Sequence, residues 1–358
     1  MGKNSEFNKN REKQILVKFH DILQELPAYT KDFLNEKADQ NPGTALEYAR
    51  DLTSFFEYLE EYCPMLRGFP RKEIPLEELE KLSFQDVNEF QNYLDARHPE
   101  ISGKKEHELS KVSIARKMSA LRGFFNYLCT HDYIRHDPTR GAMKQRIKSE
   151  EHAIIRLSTD EVHDYLSVIK NSAVSSPTQK KIIQHTRLRD YAILYLLLNT
   201  GLRVSECVAL DINDLNFKEN SLLVVRKGKK EQLIYYNDEV QLALLDYIEN
   251  ERPNYASDDE PALFLSTQRR RMGVRAIQKM VKKYAEEIGT NKNITPHKMR
   301  STYGTALYNQ TGDIRLVADV LGHSNVNTTV KHYAAIEEEH RKIAAKIKPY
   351  KEEEPCPN

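Results

Sequence analysis

The stretch Leu188–Gly201, LRDYAILYLLLNTG, and the residues LRVSE that follow it decide the fold of this chain. Its central run YAILYLLL, residues 191–198, is apolar on every side of a helix, which predicts a helix buried in the core of a domain. Gly201 ends that helix, and a second helix begins just after Arg203. The charged guanidinium of Arg203 therefore lies beside an apolar run and needs a partner. That partner is either Glu206 or an aspartate in a buried ion pair, or the phosphate of a bound ligand.

A β-hairpin is predicted further along the chain. The apolar runs SLLVV, residues 221–225, and QLIYY, residues 232–236, flank the polar residues RKGKK; two such runs around a glycine-containing turn are typical of a hairpin. Gly228 gives the turn its backbone freedom, and Lys227 precedes it. A turn lysine is usually a solvated surface charge. The alternative is that the rigid hairpin carries its ammonium group into a groove of DNA.

The motif ITPHKMR, residues 294–300, predicts the start of another helix. Thr295 or Pro296 sets its first turn. His297 and Arg300, three residues apart, then share one face. A His and an Arg at this spacing often occur by chance, and no second His or acidic residue stands nearby at the spacing of metal ligands.

The motif LGHSNVNTTVKHYA, residues 321–334, follows a short predicted helix that Gly322 ends. His323 comes directly after that glycine, and Tyr333 stands ten residues later. A lone histidine in this position usually caps or packs against a helix. A functional role for it therefore depends on what surrounds it.

The first part of the chain is predicted to be helical. Residues 43–62 and 113–134 carry apolar side chains every three or four positions, which indicates two amphipathic helices. Ser158 and Glu161 form a capping box where a new helix begins. We therefore predict a mainly α fold with a small antiparallel β-sheet, in the α+β class. The predicted limits are 1–138 for an N-terminal helical domain, 139–157 for a basic linker and 158–358 for a second domain.

Length and composition limit the class of protein. The 358 residues suffice for about two domains. The four cysteines stand far apart without a CxxC pair, and no apolar run approaches the roughly 20 residues of a membrane span. The first residues lack the apolar core of a secretory signal. We expect a protein of the reducing cytoplasm.

The formal net charge of +1 conceals two basic segments. Residues 101–150 hold 11 Lys and Arg against 5 Asp and Glu, and residues 266–300 hold 10 against 2. A local excess of positive charge matters more to a polyanion than the total does. The segments are either two solvated helix faces or the two sides of a clamp on nucleic acid.

The order of these motifs resembles the tyrosine recombinase family, also called the phage integrase family. An Arg, a Lys in a β-turn, an HxxR, an LGH and a Tyr follow one another along most of the chain. The helical first part looks like that family's core-binding domain, which has a SAM-like fold, and the later motifs look like its catalytic domain. The segments EIPLEELEKL and AIQKMVKKYAEE are most similar to the Xer recombinases that act as a single protein, XerS.

The resemblance implies a site-specific DNA recombinase that cuts and rejoins DNA through a 3′-phosphotyrosyl intermediate. Tyr333 would be the nucleophile. Arg203, Arg300 and His323 would donate hydrogen bonds to the phosphate oxygens, where negative charge accumulates in the transition state.

Two further roles complete the implied catalytic set. Lys227 would protonate the leaving 5′-oxygen, and His297 would accept or share the tyrosine proton. Because cations stabilise the transition state, no metal and no cofactor would be required. The covalent intermediate keeps the energy of the phosphate ester, so ATP would not be required either.

The sequence departs from the expected family pattern in two places. Tyr333 stands ten residues after His323, where Xer proteins commonly have nine, and Ser301 follows Arg300 where a histidine is frequent. The other tyrosines that could be considered for the nucleophile, more typical of core or surface positions, are Tyr303, Tyr308 and Tyr350.

Partners also follow from the resemblance. Double-stranded DNA would be the substrate, and the candidate DNA contacts are Lys104, Lys105, Arg116, Lys117, Arg146, Lys148, Arg269, Arg270, Arg271 and Lys298. Four strand cleavages with one tyrosine per protomer imply a homotetramer on two DNA sites. Residues 337–350 would form a helix that is either exchanged between protomers or packed within its own chain.

Several biological roles fit the same residues. The leading hypothesis is chromosome dimer resolution in the bacterial nucleoid, with a DNA translocase or accessory factor as a further partner. An integrase of a mobile element and a non-catalytic DNA-binding protein that retained the fold are the alternatives. A type IB topoisomerase shares the chemistry but would relax DNA without pairing two sites.

Overall fold

The computed structural model describes residues 6–95, 109–143, 156–171, 185–226, 230–290 and 292–322. The chain divides into two compact units, and the boundary between them lies between Glu150 and Glu151. Each unit has its own arrangement of helices. In the described ranges no helix is both long and apolar enough to cross a membrane.

In residues 6–95 and 109–143, the described part of the first unit, the regular structure is helical. Its helices are α1 (Glu6–Leu23), α2 (Lys31–Gln40), α3 (Pro42–Glu61), α4 (Leu76–Glu80), α5 (Phe84–Asp95) and α6 (Lys111–Thr130). The two helices predicted from periodicity, α3 and α6, are confirmed. The side chain of Asn41 accepts a hydrogen bond from the Thr44 amide, and Pro42 occupies the first turn, so the start of α3 is fixed locally.

Aromatic side chains from three of these helices meet in the core. Phe55 of α3 lies with its ring centroid 5.1 Å from that of Phe90 in α5 and 5.9 Å from that of Phe125 in α6. Both pairs are edge to face, the geometry that the ring quadrupoles favour. All three rings are at most 1% exposed. Phe55 therefore joins the three helices at the centre of the unit.

One charged group is buried at the junction of α3 and α6. Asp51 is 3% exposed, and its carboxylate accepts hydrogen bonds from Arg116 (2.6 and 2.8 Å) and Lys117 (3.3 Å). Burial raises the pKa of the Asp51 carboxyl, and the two cations oppose that rise. The carboxylate thus fixes the direction of two basic side chains on α6.

Replacing Asp51 should test this junction. Asp51→Ala leaves two cations without their shared acceptor, and we expect a loss of about 3 kcal/mol in the free energy of unfolding, measured with urea. Asp39→Ala is the control, because Asp39 is exposed on α2. Equal, small losses in both variants would contradict the role given to Asp51.

The second unit contains seven helices and a small sheet among its described residues. The helices are α7 (Thr159–Lys170), α8 (Arg187–Thr200), α9 (Val204–Ala209), α10 (Asp238–Asn250), α11 (Val274–Glu287), α12 (Pro296–Thr311) and α13 (Ile314–Leu321). The strands are β1 (Leu215–Asn216), β2 (Ser221–Val225) and β3 (Glu231–Tyr235). Three-residue 3-10 turns lie at Ala28–Thr30 and Arg71–Glu73 in the first unit and at Ile212–Asp214 and Arg252–Asn254 in the second.

The sheet is antiparallel, with the strand order β1-β2-β3. Leu222 pairs with Ile234, and Val225 pairs with Glu231. Leu222, Val224 and Ile234 are buried, as the two-residue period of a strand with one covered face requires. The predicted hairpin and the fold class are confirmed, and β3 begins one residue earlier than predicted.

Helix α8 is the buried helix that the sequence predicts. Its first turn is satisfied by a carboxylate from elsewhere in the unit: the Leu188 amide (2.8 Å) and the Arg189 amide (3.3 Å) both donate to Glu251. Burial raises the pKa of the Glu251 carboxyl to about 7, although the two amides oppose the rise. A negative charge beside the N-terminus of α8 also interacts favourably with the dipole of that helix.

Glu251 should make stability depend on pH. Its pKa in the folded state is higher than in the unfolded chain, so the folded protein binds more protons and its stability falls as pH rises from about 4.5 to 7. We expect the free energy of unfolding to fall by up to about 3 kcal/mol over this range because of Glu251. Urea unfolding at several pH values measures it.

The matched variants are Glu251→Gln and Glu249→Gln. Glu251→Gln should remove this part of the pH dependence, whereas Glu249→Gln, at an exposed position in the last turn of α10, should retain it. Identical pH profiles in the two variants would show that Glu251 does not titrate as described.

The connection between the units was predicted as a basic linker over residues 139–157. Ala142 packs in the core of the first unit, and the Leu157 amide donates to Thr302 Oγ1 (3.0 Å) in the second. The capping box at Ser158 and Glu161 is present. The domain limits 1–138, 139–157 and 158–358 stay a prediction.

Candidate catalytic site

Two helix C-termini meet in the second unit. Helix α8 ends at Gly201 and α13 at Gly322, and both glycines have a φ of +61°. A Cβ on Gly201 would lie 2.6 Å from Tyr303 Cδ1 and 2.8 Å from Leu321 Cδ2. The ends of α8 and α13 are therefore close-packed. The last carbonyls of each helix have no partner within the helix and carry partial negative charge.

Arg300 lies between these two ends. The residue, on α12, is only 4% exposed, and its guanidinium donates to the carbonyl of Gly201 and to the carbonyl of Leu321. A buried cation is compatible with the core here because it meets the negative ends of two helix dipoles. Arg300 thereby ties α8, α12 and α13 together.

Arg203 approaches the same place from the start of α9. Its Nη1 donates to Glu206 Oε1 (2.7 Å), and its Nη2 donates to the Gly322 carbonyl (3.2 Å). The ion pair with Glu206, one of the two alternatives raised by the sequence, is thus present. The side chain of Arg203 is nevertheless 37% exposed, so its guanidinium is open to a ligand as well.

A third arginine, which the sequence analysis did not identify, completes the group. Arg226 follows β2 directly, is 8% exposed, and donates from Nη2 to the Val320 carbonyl (2.8 Å). The two-residue period of the strand indicates its burial, because Leu222, Val224 and Arg226 all lie on the buried face. Arg226 is also the first residue of the predicted basic turn RKGKK, which conceals this period in the sequence.

The three guanidiniums bind three successive carbonyls at the end of α13. Arg226 binds Val320, Arg300 binds Leu321 and Arg203 binds Gly322. Burial lowers the pKa of Arg226, an effect that the nearby carboxylates of Glu206 and Asp319 oppose and the neighbouring Arg203 reinforces. Three cations thus stand against two carboxylates, an arrangement that can bind an anion such as a phosphate.

The start of α12 matches the prediction, and the two catalytic candidates on this helix differ in burial. Thr295 caps α12 by accepting from the Lys298 amide (3.3 Å), and Pro296 is its first residue, as predicted. His297 is exposed although Arg300, one turn later, is buried. The structure therefore brings Arg203 and Arg300 together. The predicted positions outside the described residues are Lys227, His323 and Tyr333.

The candidate DNA contacts differ in exposure and in their partners. Arg269 and Arg270 are exposed in a turn. Arg271 is held inside the protein, where it donates to the carbonyls of Val208 (3.0 Å) and Leu210 (2.9 Å) and to the carboxylate of Asp211. Arg116 and Lys117 share Asp51, and Lys298 is half-buried. Those outside the described residues are Lys104, Lys105, Arg146 and Lys148.

Helix α11 carries a basic stripe that belongs to the basic segment at residues 266–300. Arg275, Lys279 and Lys282 are all exposed. Their spacings of four and three residues place them on one helix face. That face presents three cations to solvent and adds a second exposed basic surface to the turn at Arg269 and Arg270.

The close approach at Gly201 should make it intolerant of a side chain. Gly201→Ala adds a Cβ in a left-handed conformation and against Tyr303 and Leu321, so we expect a loss of about 3 kcal/mol in the free energy of unfolding. Gly312→Ala is the control, because Gly312 has a φ of +65° but no atom within 4 Å of the added Cβ. It should lose about 1 kcal/mol. Equal losses would mean that the packing of α8 against α13 is not tight.

Comparison with known proteins agrees with this architecture. Residues 155–340 match the Phage integrase family and residues 25–147 match the Phage integrase SAM-like domain. The tyrosine recombinase XerC of Caldanaerobacter subterraneus subsp. tengcongensis is 33% identical over 87% of this chain and 82% of its own length. The tyrosine recombinase XerS of Streptococcus mutans is 29% identical over 94% of this chain and 100% of its own. The chain belongs to the phage integrase family.

Solved structures show the same fold. The site-specific recombinase XerH in a post-cleavage complex with its difH substrate superposes with a TM-score of 0.64 at 18% identity, covering 88% of this chain and 83% of that one. The Tn1549 transposon integrase in complex with transposon right-end DNA gives 0.62 at 22% identity, covering 88% and 98%.

Proposed function

We propose that this protein is a site-specific DNA recombinase that cleaves and rejoins DNA through a 3′-phosphotyrosyl intermediate on Tyr333. The observation that carries the proposal is the convergence of Arg203 and Arg300 on the adjoining C-terminal ends of α8 and α13. The two arginines lie 97 positions apart in a chain whose relatives are tyrosine recombinases. A site of this kind offers fixed cationic donors to one phosphate group.

The reaction follows from these donors. The Tyr333 oxygen attacks the phosphorus, the bond to the 5′-oxygen breaks, and the negative charge that builds up on the non-bridging oxygens is stabilised by Arg203, Arg300 and His323. The tyrosine proton passes to His297, and the leaving 5′-oxygen takes a proton from Lys227. A 5′-hydroxyl from the partner strand then reverses these steps, so the phosphodiester is restored without ATP.

DNA binding would rest on the exposed basic surfaces. The turn that carries Arg269 and Arg270 and the α11 stripe offer phosphate contacts, which position a protein on DNA without reading its sequence. Arg116 and Lys117, aligned by Asp51, would serve the same purpose on the first unit. One exchange requires four cleavages, so four copies on two DNA sites form the active assembly.

The biological role we propose is chromosome dimer resolution in the bacterial cytoplasm, on the nucleoid. The Xer names of the relatives support it over the integrase of a mobile element. A DNA translocase or accessory factor would then control the reaction, and residues 337–350 would pass between protomers of a tetramer.

A suicide substrate tests the nucleophile. The full chain is incubated with nicked duplexes that carry candidate recombination sites, selected from the source chromosome by binding. We expect a covalent protein–DNA adduct that survives SDS in the wild type and is absent in Tyr333→Phe, because phenylalanine has no oxygen to attack the phosphorus.

The control for this experiment is Tyr308→Phe. Tyr308 is buried against Val317 and Leu321 on α13, away from solvent, so its variant should still form the adduct. An adduct with Tyr333→Phe would refute the assignment of the nucleophile. Sequence-specific binding without an adduct in any form would favour a DNA-binding protein that lacks catalysis.

A further inference from the structure

Arg226 has hydrogen-bonding capacity that the fold does not use. Its Nε and Nη1 are buried and have no hydrogen-bond partner among the described residues. In this part of the chain its one bonded guanidinium nitrogen is Nη2, which donates to the Val320 carbonyl (2.8 Å). Buried guanidinium donors without acceptors are costly, and native proteins seldom keep them without a reason. Arginine cannot avoid this cost by losing its proton, since its pKa is too high.

The fold makes room for this guanidinium at the end of α13. A Cβ on Gly322 would lie 1.5 Å from Arg226 Nη1 and 2.5 Å from its Cζ. Only glycine at position 322 therefore permits Arg226 to lie there. The same glycine offers its carbonyl to Arg203, so the two guanidiniums are neighbours at one helix end.

A purely structural role does not account for these contacts. One donor suffices to cap Val320, and a carboxylate on the adjoining elements could have satisfied the others, as Glu206 does for Arg203. Glu206 and Asp319 lie close enough to affect the Arg226 charge, yet neither accepts a hydrogen bond from it in the described structure. Among the described residues, therefore, none occupies these donors, and a bound anion can supply the acceptor.

We propose that Arg226 is a third phosphate-binding arginine of this site, donating from Nε or Nη1 to a non-bridging oxygen of a DNA phosphate. This inference rests on the proposed function and adds a residue to it. Arg203 is 37% exposed and donates to the carbonyl of Gly322, the residue against which Arg226 packs, so a phosphate bound by Arg203 would lie beside the Arg226 guanidinium. The phosphate then supplies the acceptor that the two buried donors lack.

The salt dependence of DNA binding tests the proposal. The affinity of the full chain for a random-sequence duplex is measured as a function of salt concentration, because phosphate contacts do not depend on sequence. Arg226→Gln removes one phosphate contact. We expect the slope of log affinity against log salt to become shallower by about 1 and the affinity to fall roughly tenfold.

Arg252→Gln is the matched control. Arg252 is also a half-buried arginine that donates only to carbonyls, those of Glu260 and Ala262, but it lies outside the arginine group. Its variant should lose stability in urea and keep the wild-type slope. An Arg226→Gln protein that is folded and binds with the wild-type slope and affinity would overturn the proposal. Absence of salt-dependent binding by the wild type would instead overturn the proposed function, and this inference with it.

Arg226→Lys covers the case in which Arg226→Gln does not fold. The lysine keeps the positive charge, so the wild-type salt slope should remain. Its single ammonium cannot reach Val320 and a phosphate together, so affinity should still fall roughly tenfold. Wild-type affinity in Arg226→Lys would overturn the proposal.

Discussion

The placement of the Arg300 guanidinium between two helix C-termini is the interaction on which the second unit depends. Helices α8 and α13 both end in left-handed glycines, and their terminal carbonyls would repel one another if they met without a cation. Arg300 supplies that cation from α12 and is only 4% exposed. The motif at residues 294–300 is therefore a structural element of the second unit, because its arginine holds α8, α12 and α13 together.

The neighbouring charges give this place its chemistry. Glu206 binds both the amide and the guanidinium of Arg203, so one carboxylate begins α9 and orients the arginine. Arg226 brings a further cation from the end of β2, and burial lowers its pKa. Charge is thus concentrated in a partly desolvated region, where it interacts with an anion more strongly than it would in water. The carbonyls of residues 320–322 accept hydrogen bonds from these three guanidiniums.

Local signals in the sequence predicted much of this fold. The apolar run before Gly201, the capping box at Ser158 and the Thr295–Pro296 start of α12 each depend on neighbouring residues, and all three are present. Tertiary contacts were harder to predict. Arg271 belongs to a run of three arginines, yet it turns inward to two carbonyls and Asp211, which are distant in sequence. Arg226 was missed because a basic turn and the buried face of a strand overlap at that residue.

A crystal structure of the full chain bound to duplex DNA would test the central claim most directly. The account predicts that nitrogen atoms of Arg203 and Arg300 lie about 3 Å from the oxygens of one and the same phosphate group, beside the ends of α8 and α13. A DNA complex in which both guanidiniums keep only their bonds to the carbonyls of Gly201, Leu321 and Gly322, while the phosphates lie elsewhere, would contradict it.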